Sequence, residues 1–344
     1  MGTIVPMSAS ALSSTLDTLW FTRCPVPTAT GIAADRGWFT DEFAPDGIQV
    51  RSLQDAGTGR SPEDHFTHAL TGLFREGGNV PALWTRGNGE PTRLIGLTWI
   101  EERQAILVRR DSAIATPAQL AGARIAIPHR PIAIDFWRAM ALAGFAGALG
   151  AAGLALGDVV PVEVQAAPHA PQWVAELEAL TAGRVDAVYV KGALAVETAA
   201  RYDAVIGIDL DAFPDRTVRI NNGTPRPVTV HQRLLDEHPE IVVRFLAVLI
   251  EAAEWAAANP ADVARILAAE TGAGATGVAG AYAWTGSADL RLDLSEDRLG
   301  LLARQEKFLR EHGFLARPVD IAAWTAAEPL AAAHTLVRAR ATER

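Results

Sequence analysis

Leu120-Ala121-Gly122-Ala123-Arg124-Ile125-Ala126-Ile127 and Leu180-Thr181-Ala182-Gly183-Arg184-Val185-Asp186-Ala187-Val188 are the stretches whose reading decides the fold. The first leads out of a connector with a short helix over 111–120 into a strand over 123–127, and the second carries a helix into a strand over 186–190. Such short apolar, β-prone runs bounded by turn residues read as buried strands. Working outward, the same pattern gives strands over 16–22, 47–53, 92–100, 104–108, 159–164 and 204–208, with a short helix over 30–39. From residue 228 the chain reads as mostly helical: His238-Pro239-Glu240 opens a long amphipathic helix to Asn259, and Pro260 opens the next. Strands alternating with helices predict parallel α/β lobes.

A chain of 344 residues is long for a single core, so two lobes are expected. Hydrophobic residues at 49% and charged residues at 21% fit an ordinary globular protein. The net charge of −9 argues against nucleic acid or an anionic membrane surface as a partner, and it means that an anionic ligand needs a local cluster of donors. Lysine occurs only at Lys191 and Lys307, which reads as coding bias. The N-terminal stretch 1–19 lacks a basic start followed by an apolar run, so no secretory signal is expected. Residues 139–156 carry no charge, but alanine and glycine dominate them, which fits helix packing inside a domain better than a membrane span. The expectation is a cytoplasmic protein with a free thiol.

That thiol is the lone Cys24, in Phe21-Thr22-Arg23-Cys24-Pro25-Val26-Pro27. It has no partner for an intramolecular disulfide, so it is either a buried filler or a reactive group. Pro25 and Pro27 end strand pairing after it and fix the local backbone. Ser61-Pro62-Glu63-Asp64 reads as a helix start, with a capping serine, proline at the first position and acidic residues next. His65 then lies in the first turn, Arg75 near the helix end, and Gly77-Gly78 stops the helix before Asn79-Val80-Pro81 begins another. An arginine can hold a two-oxygen anion through parallel charged hydrogen bonds, and a glycine lets a backbone N–H approach the same oxygens. The bland alternatives are a solvated helix-end arginine, a plain turn and a partly exposed first-turn histidine. Phe66 and the pair Phe136-Trp137 are candidate apolar walls for a ligand, although each is more often simply core. No His/Cys/Asp spacing suggests a metal.

Several segments together resemble the type 2 periplasmic-binding-protein fold: 110–127 is similar to its first lobe crossing, 180–188 to its second-lobe helix and strand, and 236–260 to its C-terminal helices. The resemblance implies a two-lobed α/β fold with a ligand cleft between the lobes. Lobe I would comprise 1–114 plus 211–344 and carry the site, and lobe II would comprise 115–210. Within that fold, Cys24-Pro25-Val26-Pro27, His65-Phe66-Thr67 and Arg75 with Gly77-Gly78 resemble the aromatic desulfinases of dibenzothiophene desulfurisation, as do residues 92–98 and 305–308. The resemblance implies cleavage of 2'-hydroxybiphenyl-2-sulfinate or a close analogue to a phenol and sulfite. In it Cys24 and His65 would be catalytic, and Arg75, Gly78, Phe66 and Trp137 would bind substrate. No cofactor, no metal and a monomeric enzyme are expected. His68 stands where the family has a tyrosine, and 131–160 is shorter than its counterpart, so the preferred aryl group can differ. Cys24 could attack sulfur as a thiolate or protonate the carbon bearing it as a thiol, and the sequence leaves both open. The rival reading is a non-catalytic receptor for an aryl or alkyl sulfonate or sulfinate. A third, the pyrimidine-synthase branch of the same fold, would call for metal-binding histidines or a cysteine cluster.

Overall fold

The computed structural model describes residues 16–22, 24, 26–53, 67–68, 70–168, 170–282 and 290–343. Its strands are β1 (Thr18–Phe21), β2 (Gln49–Ser52), β3 (Leu73–Glu76), β4 (Thr92–Thr98), β5 (Gln104–Arg109), β6 (Arg124–His129), β7 (Val160–Gln165), β8 (Val188–Lys191), β9 (Ala204–Asp209) and β10 (Arg226–His231). They form a five-stranded sheet ordered β2-β1-β3-β10-β4, a three-stranded sheet β8-β5-β9 and a pair β6-β7. A bridge from Ile125 to Ala187 ties the pair to the strand that becomes β8. Helices pack against these sheets, giving a two-lobed α/β architecture.

The five-stranded sheet is mixed and the three-stranded one antiparallel, while only the pair β6-β7 is parallel throughout. β1 runs parallel to β2 and β3, but β10 is antiparallel to both β3 and β4, and β5 is antiparallel to β8 and β9. β10 lies in the stretch read as helical, and it is a central strand whose residues 226–230 are all buried. Strand pairing also places β5, assigned from sequence to the first lobe, in the second sheet, where Ala105–Val108 join the second lobe's core. The helix expected over 30–39 divides into Ala29–Asp35 and Trp38–Phe43, because Gly37 turns the chain with a φ of 76°.

The first lobe's core is organised on the long helix Pro239–Ala258, which begins with proline at its first turn and buries Ile241, Val242, Phe245, Leu246 and Leu249. Phe245 stacks on Phe74 of β3 at a ring separation of 3.7 Å and on Phe39 at 4.5 Å. This fixes β3 against the helix layer. In the second lobe, Asp135 caps the helix Phe136–Gly150 by accepting from the Arg138 N–H at 3.0 Å, and its other oxygen accepts from the Arg130 N–H at 2.8 Å. The uncharged run 139–156 is thus mostly helix, buried through Ala139, Met140, Phe145, Ala148 and Leu149.

Gly147 of that helix packs directly on the backbone crossing between the lobes: a Cβ there would lie 2.3 Å from the Val218 carbonyl oxygen. Backbone cannot yield as a side-chain tip can. Gly147→Ala is therefore expected to destabilise the protein by about 1–3 kcal/mol despite alanine's better helix propensity, read as a lower melting temperature. An unchanged or raised melting temperature would show that this helix does not sit against the crossing.

Candidate functional site

A cavity of about 310 Å³ opens beyond the C-terminal end of β3, between elements of the two lobes. Cys24, Arg75 and Gly78 line it from the first lobe, and Trp137, Met140 and Trp173 from the second. Four of the six residues singled out from sequence, Cys24, Arg75, Gly78 and Trp137, thus surround one space. The other two, His65 and Phe66, lie outside the described residues.

Cys24 comes just after the end of β1, where the chain leaves the sheet. The Thr22 N–H donates to the Phe74 carbonyl at 3.2 Å, and the Thr22 hydroxyl donates to the Glu76 carbonyl at 3.0 Å. The Cys24 thiol donates to that same carbonyl at 3.5 Å. Half-buried, the thiol is held at the cavity wall by backbone on its neighbouring strand.

Arg75 is not at a helix end; it lies on β3, pairing with Thr229 of β10. The sequence reading failed here because Leu73, Phe74, Arg75 and Glu76 are all buried. A strand covered on both faces shows no alternation to detect. The Arg75 side chain is 1% exposed, and its Nη1 donates to the Gly78 carbonyl at 3.2 Å. Its guanidinium folds back over Gly77, where a Cβ would come within 2.8 Å of Cζ and Nη1. Burial, assisted by repulsion from Arg226, draws its pKa down to about 10, while the nearby Cys24 sulfur favours the cation. It remains charged at neutral pH.

Gly78 is a glycine for space, not for a special φ: a Cβ would strike the Asn222 amide at 2.3–2.6 Å. Asn222 in turn caps the helix Asn79–Gly87, accepting from the Asn79 N–H through its carbonyl at 2.7 Å and from the Val80 N–H through Oδ1 at 3.0 Å. The first-turn donors are therefore satisfied within the chain. Among the described residues the Gly78 N–H, one position earlier, has no acceptor.

Trp137 stands at the start of its helix in a run of aromatic contacts, 5.4 Å from Phe136 and 5.1 Å from Trp173 in an edge-on arrangement. The Arg130 guanidinium lies 4.6 Å from its ring centre and 3.5 Å from the Glu176 carboxylate, with both members of that pair buried. Breaking a buried pair of this kind by removing one member typically costs about 3–5 kcal/mol, so the aromatic wall has a firm backing.

Sequence reasoning missed Arg226, Asn222, Trp173 and the Lys191–Glu102 ion pair, all of which line the cavity. Lys191, one of only two lysines, carries a signal in its rarity, and Arg226 comes directly after a turn sequence, Asn221-Asn222-Gly223-Thr224-Pro225. Three cations thus face one carboxylate across the cavity. Behind it Glu76, whose carboxyl burial pushes above the usual range, is bonded by Thr30 and Thr98. The local balance is positive in a chain of net charge −9, and a small anion fits it.

These features define a class: a two-lobed binding-protein fold with a cation-lined cavity and a thiol in its cleft. The chain belongs to the NMT1/THI5-like family, whose model matches residues 26–263. It is 31% identical to 2'-hydroxybiphenyl-2-sulfinate desulfinase of Rhodococcus erythropolis, an alignment covering 92% of this chain and 93% of the relative. The crystal structure of a cysteine-to-serine variant of the desulfurization enzyme DSZB, in complex with biphenyl-2-sulfinic acid, matches with a TM-score of 0.74. That match is 25% identical and covers 93% of this chain and 99% of the other. The periplasmic aliphatic sulphonate binding protein SsuA from Escherichia coli shares the fold, with a TM-score of 0.69, 14% identity and 90% and 92% of the two chains covered. Among the described residues no helix is long and apolar enough to cross a membrane.

His68 is 1% exposed in a left-handed backbone conformation with φ 54°, its Nε2 3.4 Å from the Thr229 carbonyl oxygen. Burial, with the Arg75 charge beside it, holds its pKa at about 4 against an ordinary 6.5. The unfolded chain therefore binds a proton between pH 6.5 and about 4 that the folded chain refuses, and stability falls as pH drops through that window, by roughly 3 kcal/mol at its foot. His68→Gln should reduce the stability difference between pH 7 and pH 4.5 by roughly 2 kcal/mol in denaturant unfolding. An unchanged difference would mean that His68 is protonated in the fold.

Gly77→Ala should displace the Arg75 guanidinium. Its expected effect is about tenfold weaker binding of a small oxyanion such as sulfite, the loss of one charge-assisted hydrogen bond. Undiminished sulfite affinity would mean that Arg75 binds no anion in this cavity.

Proposed function

We propose that the protein is an enzyme that hydrolyses the carbon–sulfur bond of an aromatic sulfinate, 2'-hydroxybiphenyl-2-sulfinate or a close analogue, releasing the desulfurised phenol and sulfite. The observation that carries the reading is the meeting of the chain's one thiol with a buried arginine, opposite an aromatic wall, in a single cavity. A volume of about 310 Å³ lies at the small end of ligand pockets, which run from roughly 300 to 1,000 Å³, and suits one or two aromatic rings. The 31% identity to a named desulfinase along almost the whole chain supports the same chemistry.

In this reading Arg75 and the Gly78 N–H hold the sulfinate oxygens while Trp137 packs against the aryl group. The thiol geometry is compatible with proton donation, because Cys24 Sγ lies 3.5 Å from the Glu76 carbonyl oxygen, a partner that only an S–H can serve. The proton passes from sulfur to the ring carbon bearing the sulfinate, and a C–H bond forms. The C–S bond then breaks with its electron pair restoring the aromatic ring, and neutral SO2 departs. The thiolate left behind is stabilised by the Arg75 charge. Water adds to SO2 to give hydrogen sulfite and a proton, which returns to Cys24, with His65 in the assisting role. The sum is aryl sulfinate plus water giving arene plus hydrogen sulfite, and no oxidant or cofactor is consumed.

The test is sulfite release from 2'-hydroxybiphenyl-2-sulfinate and a panel of smaller aryl sulfinates, for the unaltered protein and Cys24→Ser. Expected is turnover by the former and a loss of at least about a thousandfold in the variant, with anion binding retained. Equal turnover by Cys24→Ser would remove the thiol from the mechanism. Saturable binding without sulfite from any member of the panel would make the protein a receptor.

A further inference from the structure

Arg226 is a charged group of the cavity to which the desulfination steps assign no work, and unlike Lys191 and Glu102 it has no ion-pair partner among the described residues. It lines the same space as Cys24, Arg75 and Gly78 and is only 4% exposed. Its Nε and Nη1 are buried and, among the described residues, have no hydrogen-bond partner. A buried guanidinium with idle donors is costly unless something charged completes it.

Glu76 is within the electrostatic reach of Arg226, but among the described residues no nearby carboxylate bonds its Nε or Nη1. Glu76 accepts from Thr30 through Oε2 and from Thr98 through Oε1. Glu102 is paired with Lys191, and that pair packs on the backbone of Gly223: a Cβ there would lie 2.6 Å from Glu102 Oε1 and 3.0 Å from Lys191 Nζ. Arg226 Nη2 lies 3.7 Å from the same point, close to the pair without bonding either member. Arg75 lies within its electrostatic reach and lines the same cavity. Two buried like charges facing one cavity repel in its empty state, and an anion between them reverses the sign of that interaction.

We propose that Arg226 binds the oxygens of the same anionic group that Arg75 holds, so that the sulfinate site is a two-arginine clamp. The identity of the anion rests on the desulfinase reading. A sulfinate has two oxygens with several lone pairs, more than Arg75 can fill while its Nη1 serves the Gly78 carbonyl. Arg226 therefore supplies the remaining donors, and it distinguishes a sulfinate from the neutral phenol that the reaction leaves behind.

The experiment uses Cys24→Ser, which is expected to bind without turnover, and the same protein carrying Arg226→Gln, titrated calorimetrically with 2'-hydroxybiphenyl-2-sulfinate, sulfite and neutral 2-hydroxybiphenyl. Arg226→Gln should weaken both anions about 10- to 100-fold and leave 2-hydroxybiphenyl within about twofold. Unchanged anion affinity, or equal weakening of the neutral phenol, overturns the clamp. A purely structural role as counter-charge to Glu76 predicts that adding Glu76→Gln restores anion affinity, whereas the clamp predicts that the loss persists. If Arg226→Gln does not fold, Arg226→Lys keeps the charge without the fork and should show an intermediate loss for the anions alone. If Cys24→Ser binds sulfite but no aryl sulfinate, the desulfinase reading fails while the sulfite titrations still decide the role of Arg226.

Discussion

The side-chain amide of Asn79 joins the parts of the site to one another. It is wholly buried, and its Nδ2 donates to the carbonyls of Asn221 and Pro225 while its Oδ1 accepts from Gln305 Nε2 at 3.1 Å. The loop before β10 is thereby fastened to the start of the helix Asn79–Gly87. Because the loop delivers Asn222, Gly223 and Arg226 and the helix start delivers Gly78, one amide sets where all four stand. The network continues: Asn221 Nδ2 donates to the Tyr189 hydroxyl at 2.7 Å, and that hydroxyl donates to Gln104 Oε1 at 2.8 Å. A run of satisfied buried polar groups thus passes from the first lobe into strands β8 and β5 of the second. Such networks specify geometry because each broken link strands a polar atom in a low-dielectric interior.

Charge is handled differently in the two halves of the cleft. On the aromatic side, the Arg130–Glu176 pair is internal and leaves no net charge behind Trp137. On the other side Lys191 and Glu102 likewise cancel, while Arg75 and Arg226 do not. The positive excess is therefore confined to the end of the cavity where the thiol lies. In a protein of net charge −9, a site for an anion requires such local concentration of positive charge.

Much of the site is legible in the sequence. Cys24 ahead of Pro25 and Pro27, Gly77-Gly78 and the aromatic pair 136–137 mark themselves by rarity or by punctuation, and these three motifs meet at one cavity. β3 escapes a pattern reading because its four residues are all buried, which lets the capping signal upstream suggest a helix running through it. β10 is masked by the helical character of the chain beyond it, although its run Pro227-Val228-Thr229-Val230 is β-prone. No pattern singles out Arg226: what distinguishes it from the chain's other arginines is burial beside Arg75, a property of strand pairing between segments far apart in sequence. Gly223 likewise gains its meaning only from the fold, where its bare backbone lets an ion pair rest on the main chain.

The cavity's two kinds of wall belong to different lobes. The thiol, Arg75 and Gly78 are carried by elements of the five-stranded sheet, whereas Trp137, Met140 and Trp173 are carried by elements packed on the second. In the proposed reaction an aryl sulfinate would lie across that division, with its sulfur on one body and its ring on the other, and its carbon–sulfur bond would be a covalent tie between them. Cleavage in the proposed reaction cuts the tie at the seam. The two products are then held by separate bodies with no shared atom, and the same event that completes the chemistry removes the ligand's contribution to holding the cleft shut.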